Sequence, residues 1–196
     1  MSVDDTALFL AEMGDVKPLT TNDKVFVSSQ QLDTDAHRAR RKAAMQNEYL
    51  AKLPIEPRLL TPIAPDEILS YKRNGVQEEV FRHLRLGKYK KQTVLDLHAY
   101  RLSQARELLV ETIIQAHERG ERNLLIIHGK GVNNKPYPAL MKSAVNDWLM
   151  QFDQVQAFHS ATREQGGTGA LFVMLVKSDE QRIVSGETNR KGSGFR

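Results

Sequence analysis

The chain has no cysteine among its 196 residues, which excludes disulfides, thiolate nucleophiles and thiolate metal sites and is compatible with a reducing compartment. Long apolar runs are also missing, and nothing approaches the roughly 20 residues that a membrane-crossing helix needs. Met1 to Phe9 carries Asp4 and Asp5 in place of a basic head and apolar core, so it does not read as a secretory signal. These absences predict a cytoplasmic protein with no membrane partner. Two nucleotide motifs are absent too. There is no Gly-x4-Gly-Lys-Ser/Thr, and where a dinucleotide fingerprint beginning at Gly129 would need its third glycine the chain has Asn134. A zinc deaminase is ruled out because it requires paired cysteines.

The net charge of +4 is unevenly spread. Residues 1–35 hold seven carboxylates against Lys17 and Lys24, so the rest of the chain is strongly basic. Basic clusters lie at Arg38 to Lys42, at Arg82, Arg85, Lys88, Lys90 and Lys91, and in the tail at Arg190, Lys191 and Arg196. A basic body suits a polyanionic partner such as nucleic acid, although any one cluster also fits a solvated helix face. The acidic, amphipathic N-terminal segment, with Leu8, Phe9 and Met13 on one stripe, better suits a basic protein surface.

Composition predicts little order over Thr20–Thr34 and a helix over Asp35–Leu53, where helix formers run without a breaker. Pro54, Pro57, Pro62 and Pro65 then space out a linker, because proline removes amide donors and keeps its predecessor out of helix. Past it, strands are expected at Ile68–Lys72, Thr93–His98, Leu124–His128, Val155–His159 and Ala170–Lys177. Helices are expected at Val76–Leu86, from an N-cap at Ser103 to Gly120, and from Pro138 to Phe152. The resulting βαβαβαββ order gives a mixed four- to five-stranded α/β sheet in a two-layer sandwich, preceded by a partly helical N-terminal extension. The expected organisation is an extension and linker over 1–65, a lead-in strand and helix over 66–93, the main domain over 94–177 and a flexible tail over 178–196.

The chemistry gathers at two strand ends. Alternation along a strand puts Asp96 and His98 on one face with Leu95 and Leu97 behind them, and a carboxylate beside an imidazole fixes its tautomer for proton transfer. About thirty residues separate His98 from His128, enough for one crossover helix, so the two strands are expected to be parallel neighbours. Gly129 and Gly131 free the backbone to wrap an anion, and Lys130 adds a point charge. An Asp-x-His pair alone is as often structural, and Gly-x-Gly alone is commonly just a turn; their coincidence carries the weight. Asp96, His98 and His128 suit acid/base work better than metal ligation, so no metal site is expected.

Taken in order, Leu95-Asp96-Leu97-His98, then Ile126-Ile127-His128-Gly129-Lys130-Gly131, then Gly166-Gly167-Thr168-Gly169-Ala170 resemble the three signatures of the Smr (small MutS-related) family. Gly75 and Leu86 to Tyr89 resemble the lead-in of stand-alone proteobacterial members of the SmrA and SmrB type. The resemblance implies a fold like the C-terminal domain of bacterial initiation factor three. It implies an endonuclease that nicks DNA or cuts messenger RNA on stalled or collided ribosomes, with Asp96 and His98 catalytic and His128 to Gly131 lining the site. Two positions depart from the family pattern: Ala99 replaces the usual glycine, and Gln104 stands near a usual acidic residue.

The expected activity is phosphodiester cleavage. Asp96 would orient His98 as base, His128 would protonate the leaving oxygen, and Gly129, Lys130, Gly131, Gly166, Gly167 and Gly169, with the Arg82 to Lys91 cluster, would hold the backbone. RNA cleavage by this route needs no cofactor, whereas DNA cleavage favours a divalent cation such as Mg2+. A ribosome is a candidate partner through the N-terminal segment. A non-catalytic nucleic-acid- or ribosome-binding module is the alternative from another class.

Overall fold

The computed structural model describes residues 35–178. The expectations for Thr6 to Thr34 and for the tail beyond Ser178 lie outside the described residues. Among the described residues four α-helices span Asp35–Lys52 (α1), Glu78–Arg85 (α2), Leu102–Glu118 (α3) and Leu140–Gln151 (α4). Five strands span Ser70–Lys72 (β1), Thr93–Asp96 (β2), Asn123–Ile127 (β3), Val155–Ser160 (β4) and Ala170–Leu175 (β5). They form one mixed sheet in the order β1-β4-β5-β3-β2, in which β2 and β3 are parallel and the other pairs antiparallel. The fold class is therefore the α/β sheet expected. Among the described residues no helix is long and apolar enough to cross a membrane.

The sheet buries both faces unequally. Leu124, Ile126, Phe158, Leu171, Val173 and Leu175 point into a large core shared with α3 and α4. Leu125, Ala157, Phe172 and Met174 meet Phe81 and Leu84 of α2 on the opposite face. That explains the near-continuous apolar strands, since a strand covered on both sides has no polar face. The expected inward face of α4, from Leu140 and Met141 through Trp148 and Leu149 to Phe152, is buried throughout.

The proline-spaced stretch is not a free linker. Tyr49, Leu53, Leu60 and Ile63 belong to the large core, and Trp148 donates its indole N–H to the Pro54 carbonyl at 2.7 Å. Helix α4 then takes up the polar groups of the segment that follows. Asp147 accepts the Thr61 N–H at 2.7 Å, the Ser143 hydroxyl accepts that of Ile63 at 3.0 Å, and Lys142 donates to the carbonyls of Ala64, Pro65 and Glu67 at 3.1, 2.9 and 2.5 Å. A segment short of amide donors thus finds a buried ammonium for its carbonyls, which satisfies groups that burial would otherwise penalise.

Several boundaries move for local reasons. Strand β2 stops at Asp96 instead of His98, because the Asp96 carboxylate captures the His98 N–H at 3.1 Å and starts a turn closed by Tyr100 N–H to Leu97 O at 3.1 Å. Helix α3 begins one residue before the expected cap at Ser103: Arg101 is the N-cap, and its N–H donates to the Gln104 side chain at 3.3 Å. Glutamine there does what an acidic residue would do. Helix α4 starts at Leu140 instead of Pro138 because Ala139 sits in the left-handed region, φ 59°, its N–H held by the Gly131 carbonyl at 2.8 Å.

Candidate active site

Parallel pairing of β2 and β3 sets Asp96 opposite Ile127, so the chains leaving both strands emerge at one end of the sheet. One further ladder bond, Leu97 N–H to Ile127 O at 2.7 Å, and a fully buried Leu97 side chain anchor the exit of β2. Asp96 and His98 flank that anchor and point outward, with side chains 48% and 61% exposed. Asp96 Oδ1 lies 2.6 Å from His98 Nδ1. A carboxylate can only accept, so Nδ1 carries the proton and Nε2 is the nitrogen left for proton transfer. Burial pushes the Asp96 carboxyl up, but the hydrogen bonds and charge of His98 outweigh it and hold the group below its ordinary value.

The second signature wraps against the first. Gly129 and Gly131 both have positive φ, 73° and 58°. A Cβ at Gly129 would sit 3.3 Å from the Cβ of His98, which makes the turn a direct neighbour of the proposed base. The third signature closes the arrangement: the Gly169 carbonyl accepts the N–H groups of His128 and Gly129 at 3.1 and 2.9 Å. Gly166, at φ 113°, accepts the Gly169 N–H at 3.0 Å, and Gly167 donates to the Thr162 carbonyl at 2.9 Å. The expectation that Gly129, Gly167 and Gly169 present their amides to a phosphate therefore needs correction. The amides of Gly129, Gly167 and Gly169 are already bonded within the protein, and Lys130 is the exposed cation of the turn.

His128 has a different place from the one expected. It is 2% exposed, and its Nδ1 lies 2.7 Å from the Gly129 carbonyl, to which it must donate. Burial pushes its pKa down to about 4; the Gly129 bond opposes this, and the Lys142 charge adds to it. A neutral, enclosed imidazole shapes the turn from below and cannot hand a proton to a leaving group at the surface. Lys130, by contrast, is exposed, with Nζ 2.6 Å from Asp66 Oδ1. That contact holds the Asp66 carboxyl below its ordinary value.

The basic cluster is divided by the fold. Arg85 ends α2 close enough for its charge to lower the pKa of His159, whose burial lowers it more. Arg82 is engaged with Glu79 at 2.9 Å. Lys88, Lys90 and Lys91 lead into the start of β2, and Gln92 pairs with Asn123 there, so Lys90 and Lys91 lie toward the sheet end opposite Asp96 and His98. Sequence clustering did not become spatial clustering with the pair.

Asp66 and Arg163 join the site without having been singled out. A cavity of about 530 Å³ beside the glycine turns is lined by Lys130, Asp66, His159, Arg163 and Gly166 to Thr168. Lys142 fixes the segment that carries Asp66. The available signal for it was a lysine within the mostly apolar run Leu140 to Val145.

The chain is similar to known proteins. Residues 95–176 match the Smr domain. Over 98% of its length the chain is 34% identical to a probable DNA endonuclease SmrA of Escherichia coli K12, all of which is covered. The chain belongs to the Smr family. A ribosome rescue factor SmrB of Shewanella baltica is 28% identical, over 86% of this chain and 89% of its own. Among solved structures, YdaL, a stand-alone small MutS-related protein from Escherichia coli, shares 38% identity and superposes with a TM-score of 0.53, over 62% of this chain and 96% of that one. The Smr match begins within β2 and ends just past β5, so α1, the proline segment, β1 and α2 are built around the family domain.

Proposed function

We propose that this Smr protein is an endonuclease that cleaves phosphodiester bonds in nucleic acid, with His98 as general base and Asp96 as its orienting partner. The observation that carries the reading is the exposed Asp96–His98 pair, 2.6 Å apart, packed against the turn that presents Lys130. On RNA, His98 Nε2 takes the proton of the 2′-hydroxyl, the 2′-oxygen attacks phosphorus, and the bond to the 5′-oxygen breaks. A cyclic phosphate forms, and the leaving oxygen takes a proton from water. Lys130 exchanges Asp66 for the phosphate and stabilises the added negative charge. DNA has no internal nucleophile, so His98 would act on water, and a divalent cation would help to ionise it. The names of the SmrA and SmrB relatives support action on nucleic acid, and the second brings the ribosome into view as the setting.

The test incubates purified wild type and His98→Ala with labelled single-stranded RNA and supercoiled DNA, with and without chelator. His98→Ala should lose about 10² to 10⁴ in rate while retaining strand binding. Chelator-resistant RNA cleavage leaving a cyclic end is expected for the first route, and chelator-sensitive nicking for the second. Equal cleavage by wild type and His98→Ala would overturn the mechanism. Binding without turnover by the wild type would leave a non-catalytic module.

A further inference from the structure

A second cavity, of about 450 Å³, adjoins the turn that carries His98. Its walls include Tyr100 and Arg101 from the chain just after His98, Asn134 and Lys135 from the chain just after Gly131, and Ile55 and Met141 as apolar floor. Both site loops therefore contribute to it. Tyr100 belongs to the turn that begins at Leu97, and Asn134 packs so closely on Gly131 that a Cβ there would lie 2.6 Å from its amide nitrogen. Within this patch Tyr100 is 46% and Ile55 39% exposed, so two apolar groups lining one cavity are open to solvent together. An exposed aromatic ring over an apolar floor, rimmed by an arginine, a lysine and an asparagine, matches the chemistry of a nucleobase and its phosphate. The ring and floor accept a base face of any sequence, and the two cations meet the anionic backbone.

We propose that this cavity is a nucleobase subsite: the base next to the scissile phosphate stacks on Tyr100, and Arg101 and Lys135 hold the adjoining backbone. The inference rests on the endonuclease reading and adds a substrate class to it. A base lodged beside Tyr100 is out of its helix, so the site takes unpaired strand in preference to duplex. The cavity lined by Lys130 and Arg163 shares no residue with this one, so two separate cation-bearing hollows open off the loops that leave the strands of the site.

The test is an anisotropy titration of full-length protein carrying His98→Ala, which prevents turnover, with two short labelled single-stranded DNAs. One is a thymidine oligomer and the other the same length of base-free sugar-phosphate. The intact strand should bind on the order of tenfold tighter, the value of one stacked base. Adding Tyr100→Ala should remove most of that preference and leave base-free binding unchanged, and Tyr100→Phe should restore it. Adding Lys135→Ala should weaken both strands and flatten the dependence of log affinity on log salt by about 0.7. A Tyr100→Ala protein that keeps the full preference for bases would overturn the subsite while leaving the endonuclease reading intact. A protein that binds neither strand would overturn both. Melting curves establish that each variant is folded; Tyr100 is an exposed turn residue, so little loss of stability is expected.

Discussion

Protonating His128 should weaken the fold across the mildly acidic range, and the size of the effect follows from its burial. Its pKa in the folded protein is about 4, against 6.5 for the unperturbed group. The unfolded chain therefore binds this proton more readily than the folded one, and the stability that neutral His128 contributes above pH 6.5 is lost as pH falls toward 4. Between about pH 7.5 and about pH 4.5 the loss comes to about 2.5 kcal/mol. For a domain of this size that corresponds to a drop of about 5 to 10 °C in Tm. The carboxyls of Asp66, Asp96 and Glu121 lie below their ordinary values, so their own losses fall mainly at lower pH. His159, also lowered by burial, acts in the same direction and is present in any variant used for comparison. The informative variant is His128→Asn, whose amide nitrogen stands near the position of Nδ1 and can still donate to Gly129, but which does not titrate. Urea melts of both proteins over this window should show a steeper pH dependence in the wild type by about 2.5 kcal/mol. Parallel curves, or an NMR titration of the His128 ring near 6.5, would refute the argument and return His128 to the list of surface acids.

Gly129→Ala should cost about 1–2 kcal/mol in stability for its positive φ. It should also lower kcat with little change in KM, because the new methyl group meets His98 Cβ at 3.3 Å; an unchanged kcat would mean that the pair tolerates displacement. Asp66→Asn should tighten oligonucleotide binding several-fold at low salt and less at high salt, since it frees Lys130 and removes a like charge from the strand's path; weaker binding would show that Asp66 positions Lys130 instead of competing for it. Trp148→Phe should destabilise the protein by about 2–4 kcal/mol in urea melts, because the Pro54 carbonyl loses its buried donor and the core loses volume. An effect below about 0.5 kcal/mol would mean that the proline segment contributes little to the fold.

Most of the sheet was legible because its strands are bounded by turn residues and its helices carry clear stripes. The parallel pairing of β2 and β3, and with it the meeting of Asp96, His98 and the Gly129 turn, followed from the spacing of the two histidines. The direction in which His128 points did not follow. Asp96 and His98 stand two apart across a buried Leu97, whereas His128 is the first residue past β3, where its own N–H is bound to Gly169 and its ring to Gly129. A histidine beside a glycine turn looks the same in sequence whether it faces solvent or supports the turn from inside. The docking of residues 53–67 was hidden for a related reason. Prolines report the amide donors that a segment lacks; they do not report that Lys142, some 75 residues on, supplies donors to its carbonyls. The Arg82 to Lys91 cluster is divided because the chain from α2 to β2 runs from beside His159 to the start of β2.

Lys142 ties these corrections together. Its ammonium is buried and bound to three carbonyls of the segment that carries Asp66, and burial lowers its pKa. The same charge disfavours protonation of His128. One cation beneath the site therefore fixes the loop that supplies the partner of Lys130 and helps to keep the imidazole under the glycine turn neutral. The His128 Nδ1–H donates to Gly129 in either protonation state, and a second proton would put a charge on the buried Nε2, within the field of Lys142. The exposed pair presents Nε2 of His98, and the buried pair helps to determine where that nitrogen and Lys130 stand. Activity and fold stability should consequently fail together on the acid side, since protonating the buried histidine disturbs the support on which the exposed one rests.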